Sequence, residues 1–102
     1  MKVKITSENI KNTLKKAIHP ELNKSLVELA MIRKVEISDN TIVVTLVIPF
    51  EYVPIKADLV KIVKDTIRKK YSNKIKVLVK EMNKEEKKIF GDLVKQVRGS
   101  SL

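Results

Sequence analysis

Cysteine and tryptophan are absent from this chain of 102 residues, and only two glycines and one histidine occur. Each shortage excludes a chemistry. Without thiols there is no disulfide, no thiolate nucleophile, no zinc–thiolate centre and no iron–sulfur cluster held on the chain's own cysteines. Both glycines, Gly91 and Gly99, lie near the C-terminus. A Walker A loop, a dinucleotide fingerprint or a G-x-x-G clamp needs closely spaced glycines to bring backbone against phosphate, so none is encoded. His19, the sole histidine, is too little for a histidine-rich metal site and weighs against a nucleophile–histidine–acid triad. No apolar run is long enough to cross a bilayer. The opening Met-Lys-Val-Lys-Ile-Thr lacks the apolar core of a signal peptide, so the expected compartment is the cytoplasm.

What remains is 43% hydrophobic and 33% charged, the composition of one folded domain with a modest core. The formal charge is +10, built from 19 lysines and 3 arginines against 12 acids. Arginine is the residue of bidentate phosphate and base recognition, so this ratio reads first as a solvated lysine surface. A basic nucleic-acid-binding module stands as the alternative function, lacking both G-x-x-G and aromatics on its strands.

Along the chain, Thr6 or Ser7 can cap a helix whose Ile10, Leu14, Ala17 and Ile18 share a face, stopped at His19-Pro20. A connector from 21 to 31 follows, with a helical turn expected around Ser25–Leu29. Met31 to Ser38 reads as a half-buried strand whose alternation breaks at Ile32-Arg33. After the turn residues Ser38-Asp39-Asn40, Thr41 to Ile48 is β-branched and apolar on both faces. It is the expected central strand, antiparallel to the first. Ile55, Leu59, Ile62, Val63, Ile67 and Tyr71 form the stripe of a second helix, with lysines outward. Ile75, Val77 and Val79 mark a third strand, joined by a crossover. Asn83 with Glu86 reads as a capped start to a last helix bearing Ile89, Phe90, Leu93, Val94 and Val97. The expected fold is α/β in the broad sense, an α+β two-layer sandwich. Its order is α-β-β-α-β-α around a small three-stranded mixed sheet.

The segment His19-Pro20-Glu21-Leu22-Asn23-Lys24-Ser25-Leu26-Val27-Glu28-Leu29-Ala30-Met31-Ile32 resembles the signature D-P-E-L-x-x-S-L-V-E-L-G-M-V of the iron–sulfur cluster assembly (FSCA) domain. That family includes the PaaD and SufT proteins and the N-terminal domain of Mrp/ApbC-type ATPases. The matching signature residues are Pro20, Glu21, Ser25, Leu26, Val27, Glu28 and Leu29. His19 stands for the family's Asp and Ala30 for its Gly. After the second strand the family usually has a cysteine just before a proline. Here the loop is Pro49-Phe50-Glu51-Tyr52-Val53-Pro54-Ile55, with Val53 in the cysteine's place. The resemblance implies an FSCA-like domain over 1–82; the residue pattern adds 83–98 as an amphipathic helix docked on or extending it, and 99–102 as a fraying tail.

Valine cannot ligate iron, so the resemblance implies a non-catalytic adaptor or accessory factor in iron–sulfur protein maturation. It would act by protein contact, without metal or cofactor of its own. The implied partner is a Mrp/ApbC-like ATPase, which the chain resembles as a detached N-terminal domain, or an iron–sulfur client. Phe50, Glu51, Tyr52, Val53 and Pro54 are the candidate binding loop, since aromatics between two prolines suit protein contact or cover the core's open end. Glu21 and Glu28 read as structural carboxylates, Glu21 serving backbone N–H groups of the next turn. His19 reads as a surface cap at a helix end. Lys74, Lys76 and Lys80 would guard an edge strand, giving a monomer or weak dimer.

Overall fold

A computed structural model describes residues 5–49 and 55–99, with side chains through Val97. The elements are α1 (Ser7–Leu14), β1 (Ile32–Ser38), β2 (Thr41–Ile48), α2 (Lys56–Arg68), β3 (Lys74–Glu81) and α3 (Lys84–Gly99). This is the α+β order read from the sequence. The sheet is mixed, with order β1-β2-β3, β1 antiparallel and β3 parallel to β2.

Local chemistry explains the boundaries. Thr6 caps α1, its hydroxyl accepting from the Asn9 N–H at 3.0 Å. Asp39 and Asn40 both have positive φ, 48° and 64°, and link the directly paired Ser38 and Thr41. Two left-handed residues make a turn whose twist matches the flanking strands, and Asp and Asn tolerate that conformation. Asn83 and Glu86 form a reciprocal box at the start of α3. Glu86 N–H donates to Asn83 Oδ1 at 2.8 Å, and Asn83 N–H to Glu86 Oε1 at 2.9 Å.

The register aligns Val35, Val44 and Val77 in one row and Ile42 with Ile75 in another. Ile42, Val44 and Leu46 are fully buried on that face, together with Ile10 and Leu14 of α1 and Leu59, Val63 and Ile67 of α2. Each such side chain contributes about 1.5–3 kcal/mol by leaving water. On the opposite face Lys34, Glu36, Lys76 and Lys80 are exposed. Lys74, Lys76 and Lys80 thus line an edge strand, as charge that discourages pairing with another sheet. Phe90 and Val94 of α3 pack half-buried against the core.

The broken alternation at Ile32-Arg33 is a β-bulge. Ile32 pairs Leu46 and Lys34 pairs Thr45, leaving Arg33 as the extra residue. The bulge lets Arg33 reach α3, where Nε meets Glu86 Oε2 at 2.9 Å and Nη2 meets Oε1 at 2.5 Å. This two-pronged hydrogen bond holds the Glu86 carboxyl below its usual pKa range. The last helix reaches Gly99, one residue into the stretch expected to fray. Residues 100–102 lie outside those described.

Candidate functional site

The connector closes on itself before it meets the sheet. Ile18 and Ser25 form an isolated antiparallel bridge, and the Leu26 N–H donates to the Ala17 carbonyl at 2.9 Å. His19 sits inside this loop, 5% exposed. Its Nδ1 accepts the Glu21 N–H at 3.1 Å and the Leu22 N–H at 3.2 Å. Two expectations are corrected here. His19 is no surface cap but a buried acceptor, and in the next turn it is the Ser25 hydroxyl, not Glu21, that accepts a backbone N–H, that of Glu28. Glu21 itself is exposed.

The substitution of His for the signature's Asp now has a geometric reason. Imidazole Nδ1, like a carboxylate oxygen of Asp, is one bond from Cγ, so it accepts the same turn N–H groups. An Nδ1 that receives two N–H donors keeps its lone pair, so the neutral ring carries its proton on Nε2. Ligation of a metal through Nε2 would move that proton to Nδ1 and break both bonds. Burial pushes the His19 pKa down, against the smaller opposing pull of the nearby Glu21 carboxylate.

The remaining signature residues divide by exposure. Leu26 and Ser25 are fully buried, Leu29 is buried and Val27 half-buried. The Ser25 hydroxyl accepts the Glu28 N–H at 3.0 Å, and the Leu29 N–H donates to the Ser25 carbonyl at 3.1 Å. The expected turn at Ser25–Leu29 is therefore present, capped by Ser25. Ala30 has φ 58°, a left-handed conformation that explains the family's glycine at this place. Only Pro20, Glu21 and Glu28 of the signature are exposed. Most of the signature thus encodes the connector's own fold.

The connector leads directly to one end of the sheet. The Val47 N–H donates to the Met31 carbonyl and the Met82 N–H to the Ile48 carbonyl, both at 2.8 Å. At this end a cleft of about 450 Å³ is lined by Ile48, Lys56, Val79, Lys80 and Glu81. It lies beyond the carboxyl ends of the parallel strands and beside the first residue of α2, where crossover folds place ligands. The candidate binding loop Phe50, Glu51, Tyr52, Val53 and Pro54 connects β2 to α2 in the sequence and lies outside the described residues.

A second groove, of about 210 Å³, brings Lys24, Glu28 and Leu29 of the connector to Leu93, Gln96 and Val97 of α3. Glu21 does not join Glu28 there. Among the described residues no three His, Asp or Glu side chains converge as metal ligands would, and no helix is long and apolar enough to cross a membrane. Sequence reasoning missed Lys56 and Glu81 as cleft residues and Lys80 as more than an edge charge. Their meeting depends on the register that pairs Ile48 with Glu81, which no local pattern announces.

These features define a class: a small α+β domain with one parallel crossover, whose candidate site is the cleft and loop at the crossover's end. The sequence profile of the family described as "Iron-sulfur cluster assembly protein" matches residues 7–79. The chain belongs to this iron–sulfur cluster assembly family, and its role lies in that process. The crystal structure of a domain of unknown function, DUF59, from Bacillus anthracis superposes with a TM-score of 0.74. It is 22% identical and covers 91% of each chain; at that identity the likeness shows the fold. No curated protein matches the chain.

Proposed function

We propose that the chain is a non-catalytic accessory or adaptor protein in iron–sulfur cluster assembly, acting by protein contact in the cytoplasm. Its partner is a Mrp/ApbC-like ATPase or an iron–sulfur client. One observation carries the reading: at the crossover loop, where the family usually has cysteine, this cysteine-free chain has Val53. A cluster's irons need thiolate or occasionally imidazole ligands. The only imidazole already spends Nδ1 on two backbone N–H groups. That bonding also counts against His19 as a general base, which supports a non-catalytic role. The cluster is then cargo of the partner, and this domain contributes surface.

The test is affinity capture from the native host with the tagged wild type and with Phe50→Ala/Tyr52→Ala. The wild type should recover an ATPase or an iron–sulfur protein, and the double variant should recover several-fold less. Recovery of neither class by the wild type would overturn the reading.

A further inference from the structure

The excess positive charge is unevenly placed. The stretches 7–16 and 56–70, which hold α1, α2 and the turns ending them, carry nine basic and three acidic residues. α1 packs on α2, so these two basic stretches lie side by side. The three ion pairs among the described residues all lie elsewhere, on β1, β3 and α3. At the C-terminal ends of α1 and α2, Lys16 meets Lys69 and Lys70 in a cleft of about 260 Å³, lined also by Thr13 and Thr66. A lysine near a helix C-terminus complements the negative end of the helix dipole. Three ammoniums in one cleft, with no carboxylate among the described residues paired to them, repel one another and raise the local positive potential.

We propose that this cleft is the centre of a docking surface for an acidic protein segment, its lysines receiving successive carboxylates. The proposal rests on the adaptor reading and names the chemistry of the partner. A compact phosphate is a poor fit. Phosphate sites use backbone N–H nests, helix N-termini or arginine forks, whereas this cleft joins two helix C-termini and contains no arginine. The Thr13 hydroxyl is already donated to the Asn9 carbonyl at 3.0 Å. Single-stranded nucleic acid would stack its bases on aromatic rings, and no aromatic among the described residues lines the cleft. Separate lysine point charges on flexible stems suit separate carboxylates, mainly by steering and register.

The experiment uses the full chain with a fluorescein-labelled decaglutamate peptide as probe and decathymidylate as competitor. Lys16→Gln/Lys69→Gln/Lys70→Gln removes the cleft charge. Lys74→Gln/Lys76→Gln/Lys84→Gln removes the same charge from β3 and α3, and all six lysines are exposed. The peptide should bind saturably and shift the backbone amides of Thr13, Lys16, Thr66, Lys69 and Lys70 most. The first triple should weaken binding about tenfold and the second about twofold at most, three rim contacts being involved. Equal weakening by both triples would reduce the surface to diffuse charge and overturn the proposal. Tighter binding of decathymidylate than of peptide would also overturn it, in favour of nucleic acid. Capture from the host separates the two readings. Equal recovery of an ATPase or client by wild type and first triple refutes this surface alone. Localised peptide binding, with neither recovered by the wild type, refutes the adaptor role and leaves the surface standing.

Discussion

Replacing His19 tests how the connector is held. In His19→Ala, the Glu21 and Leu22 N–H groups lose their acceptor, and the Leu22 bond is a buried one. An orphaned buried donor costs about 1–3 kcal/mol, and loss of the ring's packing adds about 1 kcal/mol. The expected loss is about 3 kcal/mol by urea denaturation at neutral pH. His19→Asp restores an acceptor one bond from Cγ and should stay within about 1 kcal/mol of wild type. The pH dependence follows from the same bonds. In the unfolded chain the imidazole takes its proton near 6.5, and burial holds it lower in the fold. The stability supplied by neutral His19 is therefore complete above pH 6.5 and lost as pH falls from there through the folded pKa. The slope is at most about 1.4 kcal/mol per pH unit. His19→Asp should lack this step. A loss below about 0.5 kcal/mol in His19→Ala, or parallel pH curves for wild type and His19→Asp, would refute the reasoning.

Three other substitutions follow from the geometry. Ala30→Gly relieves an L residue held at φ 58° and should raise stability by about 0.5–1 kcal/mol; a lowered urea midpoint would count against the strain. Tyr71 is 4% exposed, and its buried hydroxyl has no hydrogen-bond partner among the described residues. Tyr71→Phe should leave stability unchanged or raise it by about 1 kcal/mol, and a loss of that size would reveal a missing partner. A Cβ at Gly91 meets nothing within 4 Å among the described residues, so Gly91→Ala should add about 1 kcal/mol through helix propensity, read as a higher Tm.

The periodic elements were legible because each depends on its own residues. Thr41–Ile48 reads as the central strand because both its faces are apolar, and it lies between β1 and β3. Asn83 and Glu86 announce the capping box by spacing alone. His19 was misread because its burial depends on the chain folding back from Ile18 to Ser25, a contact no local pattern encodes. Arg33 looked only like an interruption of the strand, since its partner Glu86 lies 53 residues away. The signature pointed correctly to the family. The structure adds that most of it is buried scaffold, leaving Pro20, Glu21 and Glu28 at the surface. The parallel register of β2 and β3 sets Lys80 and Glu81 beside Ile48, and the start of α2 brings Lys56 to the same cleft.

The central claim is that this family member serves iron–sulfur assembly without holding a cluster. Anaerobic reconstitution of the purified chain with iron and sulfide, followed by desalting, tests it most directly. The account predicts a colourless protein without retained iron or sulfide, while Val53→Cys, which returns a thiol to the crossover loop, is the variant able to bind iron. A stable, coloured, iron- and sulfide-containing wild type would contradict it.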